Sequence, residues 1–135
     1  MRRGYTGWVV PENERWEWLA IEPAAYQRVI LHHCTHTFGV DESFPLPLKV
    51  PAVILGFADD GMGVQCAIIE IGGTSERPDG SVFHITWSLA EGRKAVESNQ
   101  LAQRWMRDRS SLDPEKQYVF LNPPPIDLIP QFFPL

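Results

Sequence analysis

From Ala52 the chain reads AVILGF, passes through a turn at Asp59-Asp60-Gly61-Met62-Gly63, and resumes as VQCAIIEI from Val64 to Ile71. Two apolar runs with β-branched side chains, split by a turn of acids and glycines, specify an antiparallel hairpin. That hairpin commits the chain to a fold with an antiparallel sheet. A third run of this kind, VFHITWSLA (Val82 to Ala90), follows the turn-rich GGTSERPDG and is expected to lie beside Val64 to Ile71. Upstream, YTGWVV (Tyr5 to Val10) reads as a strand that Pro11 stops. The acids and apolar spacing between Pro11 and Pro23 predict a short helix, with Trp16 and Leu19 packing on the sheet. Arg28 to Leu31 then runs extended into LHHCTHTFGV, which ends at Val40. Gln100 to Arg107 predicts helical turns and Tyr118 to Leu121 a last strand. The fold class is α+β.

At 135 residues the chain holds one domain, expected over 1–121. The last fourteen residues, NPPPIDLIPQFFPL, carry five prolines and exclude helix or interior strand. They are expected to form an extended tail, 122–135, whose Phe132 and Phe133 lie against the body or against a partner protein. Twelve basic against seventeen acidic residues give a net charge of -5, so a surface that tracks a long nucleic acid is not expected, and a small ligand or an RNA end is. Two cysteines make no disulfide framework, Met1-Arg2-Arg3 leads into no apolar segment, and no run is long enough to span a bilayer. The expected setting is cytoplasmic, away from membranes.

Two triplets of one shape stand inside the strand-like runs: His33-Cys34-Thr35 and His84-Ile85-Thr86. Successive side chains on a strand point to opposite faces, so the His and Thr of each triplet share a face. Set together, the strands would offer two imidazoles and two hydroxyls to one cleft. Histidine alone has an ordinary pKa near neutrality, so a pair can hold one base and one acid at once. Threonine hydroxyls can donate to phosphoryl oxygens. The chemistry this favours is opening of a phosphodiester without a cofactor or a metal, with a bell-shaped pH profile around neutrality.

HHCTHTFG (His32 to Gly39) and FHITWSLAEGRKAVESNQL (Phe83 to Leu101) resemble the two motifs of the two-histidine (2H) phosphoesterase superfamily. The likeness is closest to the cyclic phosphodiesterase domains of RNA-repair and tRNA-ligase enzymes, and covers about residues 5 to 105. The resemblance implies a bilobal fold, two small antiparallel sheets around a central cleft with helices outside. It implies His33 and His84 as the acid/base pair and Thr35 and Thr86 as the phosphate holders. The substrate it implies is a nucleoside 2′,3′-cyclic phosphate, at an RNA 3′ end or on a mononucleotide. A hydrolase of cyclic nucleotide or cyclic dinucleotide signals, and a non-catalytic nucleotide- or protein-binding module on the same fold, are the alternatives.

Three further residues are candidate substrate contacts. Thr37 shares the expected cleft face of its strand, Lys94 can reach a phosphate from the loop after the second triplet, and Tyr5 can stack on a base. Arg93 and Lys94 read first as a solvated charge pair, and Ser98 and Asn99 as caps of the following helix. His32, Cys34 and His36 share the opposite face, expected to be the packed one with Phe38 on it, where strand spacing suits tetrahedral zinc poorly. Cys34 and Cys66 read as small core residues, and Ile85 and Trp87 as core opposite the cleft.

Overall fold

The computed structural model describes residues 2–135. Eight strands and two helices alternate in the order β1 (Arg3–Val9), α1 (Glu12–Ile21), β2 (Arg28–Val29), β3 (His33–Asp41), β4 (Ala52–Asp59), β5 (Val64–Ile71), β6 (His84–Leu89), α2 (Ser98–Arg107), β7 (Gln117–Val119) and β8 (Ile129–Pro134). The strands make one antiparallel sheet in the order β7-β4-β5-β6-β3-β1-β8, with β2 also on β6. β4 and β5 form the hairpin, and β6 lies beside β5.

Where two sheets are expected, the hydrogen-bonded path is continuous. The halves β8-β1-β3 and β6-β5-β4-β7 are joined by β3 and β6, whose only register pair is Cys34 with Ile85. The join is narrow because the chain leaves β6 there. Arg28 and Val29 pair with Leu89 and Ser88, whereas Cys34 pairs with Ile85, so the register slips by two residues on the way. Leu31 absorbs the slip. Its φ is +38°, the one positive value outside glycine among the described residues, and its side chain is fully buried. Left-handed backbone costs a leucine about 1–2 kcal/mol, which the packed side chain and the Leu31 N–H bond to the Thr86 carbonyl (2.9 Å) offset.

Each face of the sheet carries one helix. On one face Trp8, Cys34, Ile54, Phe57, Ala67, Ile69, Ile85 and Trp87 form a core, and α1 closes it with Trp18 edge-on to Trp87, ring centroids 6.3 Å apart. The Trp87 indole N–H donates to the Glu22 carbonyl at 2.9 Å. On the other face Cys66, Ile68 and Leu89 pack with Leu101, Ala102 and Trp105 of α2. Trp16, expected on the sheet, is 64% exposed, since Trp18 takes the inward position of α1. None of the helices among the described residues is long and apolar enough to cross a membrane.

The C-terminal segment is part of this body. β8 pairs with β1 over six residues, from Gly4 with Pro134 to Val9 with Ile129. Proline is tolerated because β8 is an edge, where a missing N–H is needed only on one side. Ile126 and Leu128 enter the core under the sheet and Phe133 is buried. The expected boundary at residue 121 therefore divides a single packed unit.

Candidate active site

The pairing of Cys34 with Ile85 sets the two triplets side by side on antiparallel strands. Their central residues are buried on the α1 face. Their flanking residues turn to the α2 face, with each His running toward the Thr of the other triplet. His33, Thr35, His84 and Thr86 line one cavity of about 590 Å³, a size suited to a small ligand. Diagonal neighbours across such a pair stand about 7–8 Å apart, enough to admit a phosphoryl group.

Each imidazole has one nitrogen engaged. His84 Nδ1 lies 2.8 Å from the Val82 carbonyl. A carbonyl only accepts, so the proton sits on Nδ1 and Nε2 is the nitrogen left for a ligand. His33 Nδ1 lies 3.0 Å from His32 Nδ1, so one of those two rings donates to the other. The His33 ring is enclosed by Tyr5 and Phe133, with centroids 5.2 and 5.0 Å away. Burial, with His32 and His84 nearby, brings the His33 pKa down to about 4. Burial lowers His84 as well; the Val82 carbonyl opposes this and the Arg77 guanidinium adds to it. Both rings are therefore neutral in the unliganded protein at pH 7, and an anion between them favours protonation.

Thr86 is fixed from α2. Its hydroxyl donates to Ser98 Oγ at 2.9 Å, and Ser98 is fully buried. Ser98 thus holds a site residue instead of capping the helix, whose first turn has no side-chain cap. Asn99 also turns to the cavity. Of the candidate contacts, Tyr5 lines the cavity, whereas Thr37 and Lys94 do not. A bulge on β3 accounts for Thr37. Gly7 pairs with Thr35 but Thr6 with Thr37, so one extra residue, His36, reverses the alternation, and Tyr5 then pairs with Phe38. Thr37 consequently follows Thr6 to the α1 face, its hydroxyl 2.7 Å from His36 Nδ1. Phe38 moves the other way, out of the expected core, to a cavity wall where it is 63% exposed and stacks on Tyr5. Lys94 precedes a 3-10 turn (Ala95–Glu97), and its backbone N–H donates to Glu97.

Cys34 and Cys66 are fully buried, and burial pushes the Cys34 thiol up to about 12. Arg77, from the loop after β5, was not singled out by the sequence, yet it lines the cavity while only 8% exposed. A lone arginine in a turn-rich loop gives no signal by pattern.

Gly7 bears directly on this geometry. A Cβ there would stand 2.2 Å from the Cys34 carbonyl oxygen, so β1 and β3 approach only because the side chain is absent. Gly7→Ala is expected to cost about 1–3 kcal/mol by overpacking, read as a lowered urea midpoint, and to displace Thr35. An unchanged midpoint would show that the strands have room to part.

Compared with family models, with proteins of curated function and with solved structures, the chain matches none of them.

Proposed function

We propose that this protein is a cyclic phosphodiesterase of the 2H type, opening nucleoside 2′,3′-cyclic phosphates by acid/base catalysis with His33 and His84. The observation that carries the reading is the convergence of both His-x-Thr triplets, from neighbouring antiparallel strands, on one cavity. The two half-sheets that meet at Cys34 and Ile85 serve as the two lobes of such a fold, with the triplets at the seam.

In this mechanism the phosphoryl group lies between the imidazoles. Neutral His84, its proton on Nδ1, takes a proton from water at Nε2. The water oxygen bonds to phosphorus, the bond from phosphorus to O2′ or O3′ breaks, and His33 protonates the departing oxygen from Nε2. Charged His33 carries a proton on each nitrogen, so its Nδ1–H donates to His32 Nδ1, which holds the imidazolium in place while Nε2 gives up its proton. Thr35 and Thr86 donate to the non-bridging oxygens. For Thr86 this requires the Ser98 hydroxyl to turn and donate in its place, a reversal open to any hydroxyl pair. The net charge of -5 favours a mononucleotide or a short RNA end over a long strand.

The deciding experiment is a turnover screen of 2′,3′-cyclic mononucleotides, RNA with a 2′,3′-cyclic end, and cyclic dinucleotides. Turnover of the first two supports the proposal. Turnover of dinucleotides alone transfers it to signal hydrolysis, and tight binding without turnover leaves a binding module.

The lowered imidazoles move the expected pH profile. The profile of kcat/KM reports the free enzyme, in which one ring must be charged and the other not. With both pKa values depressed, its maximum should fall on the acid side of 6.5, the ordinary imidazole value. Bound anionic substrate favours the imidazolium, so kcat should peak at higher pH than kcat/KM. Steady-state rates from pH 4 to 9 test this, and a flat profile or a kcat/KM still rising at pH 8 would refute it.

A further inference from the structure

Arg77 is more than nine-tenths buried, yet it has no strong partner. Its nearest carboxylate, the largely exposed Asp79, is 3.8 Å away. Asn99 Oδ1 accepts from its Nη1 at 3.5 Å, the outer limit of a hydrogen bond. The buried Nε–H has no partner among the described residues. A guanidinium removed from water and left this poorly matched is expensive to keep. Arginines in that state are found where a planar fork is to meet an anion.

The placement is rigid. Arg77 N–H donates to the Ser81 carbonyl at 2.8 Å, and Gly80 N–H to the Arg77 carbonyl at 2.9 Å. Asp79 ties the same turn by accepting from both the backbone and the hydroxyl of Ser81. A bridge between Glu76 and Val82 clamps its base. Arg107, from the end of α2, donates to the Gly80 carbonyl. The turn thus holds the guanidinium against the wall shared by His84, Thr86 and Asn99. Thr86 already spends its proton on Ser98, whereas the Arg77 guanidinium keeps a hydrogen unspent in the unliganded protein.

We infer that Arg77 is the principal anion-binding residue of this cavity, its guanidinium closing on the non-bridging oxygens of a phosphoryl group between the triplets. The inference rests on the reading of the cavity as a phosphoester site, and it assigns to the 72–81 loop the task of holding ligand charge. The Arg77 cation also compensates charge that grows on those oxygens as the ring opens.

Inorganic phosphate is the probe. In the wild-type protein, saturating phosphate is expected to shift the Arg77 Nε–H resonance. By calorimetry, Arg77→Met should weaken phosphate binding at least tenfold. Arg77→Lys, which keeps the charge but loses the fork, should weaken it less. With a 2′,3′-cyclic mononucleotide, Arg77→Met should raise KM more than it lowers kcat. An Nε–H resonance unmoved by phosphate, or phosphate affinity in Arg77→Met within twofold of wild type, would overturn the inference; the resonance needs no variant to fold. If phosphate engages Arg77 while no cyclic phosphodiester is turned over, the anion site stands and the hydrolase reading fails. If turnover is robust and indifferent to Arg77→Met, the hydrolase stands and this assignment fails.

Discussion

Replacing either cavity histidine should lower kcat on a 2′,3′-cyclic mononucleotide by about a hundred- to ten-thousand-fold, the usual worth of one positioned proton transfer. That range is about 3–5 kcal/mol of barrier. The substitutions need care, since both rings are part of the packing. His84 satisfies the Val82 carbonyl through Nδ1, so His84→Asn, whose amide can still donate, separates lost chemistry from an orphaned acceptor. His33 packs against the Tyr5 and Phe133 rings, so His33→Phe keeps the aromatic contact while removing every titrating nitrogen. Melting temperatures near wild type with collapsed turnover are the expected pattern. The double variant should be little worse than either single one, because residues acting as a unit are not additive. The mechanism uses no metal, so a chelator should leave wild-type turnover unchanged. A variant of either residue that keeps its activity within a few-fold would remove that histidine from the mechanism.

Much of the geometry behind this expectation was legible because strand alternation is strict over short distances. Within His33-Cys34-Thr35 and His84-Ile85-Thr86 no bulge intervenes, so a shared face for each His and Thr follows from sequence. The same rule fails two residues later. His36 adds a residue against Gly7, and no residue type at 35–37 announces it, so the positions of Thr37 and Phe38 are interchanged relative to simple alternation. That the triplets would occupy neighbouring strands was not readable at all. It depends on the register slip at Leu31, a left-handed residue that no propensity favours.

Ser98 shows another limit. At a helix start, Ser normally reads as a cap. Here the side chain is drawn to Thr86, twelve residues earlier, because α2 packs directly over the β6 strand that carries it. Arg77 is the sharpest case, since its importance lies in what it lacks, and an unmatched donor exists only once the fold has buried it.

The C-terminal segment is where composition misled most, and it supports the other large prediction. Its prolines exclude an interior strand but suit an edge, and β8 supplies one to β1. Removing residues 122–135 would withdraw Ile126, Leu128 and Phe133, all buried. At about 1.5–3 kcal/mol for each buried apolar side chain, the loss is roughly 5–9 kcal/mol. A whole domain is stable by only about 5–15 kcal/mol. The shortened chain should therefore show no cooperative thermal transition, and its β1 edge, left open, should promote aggregation. A sharp transition within a few degrees of the full-length protein would show that the segment adds little to the stability of the sheet. Phe133→Ala isolates the functional part of the same effect. It should cost about 3–5 kcal/mol as a large-to-small change in the core. Water admitted beside the ring should also raise the His33 pKa from about 4 toward its ordinary 6.5, because burial is the largest cause of its depression. Titration of the His33 ring protons by NMR reads that shift directly. An unmoved His33 in a folded Phe133→Ala protein would mean that the strand braces the sheet without setting the charge of the site.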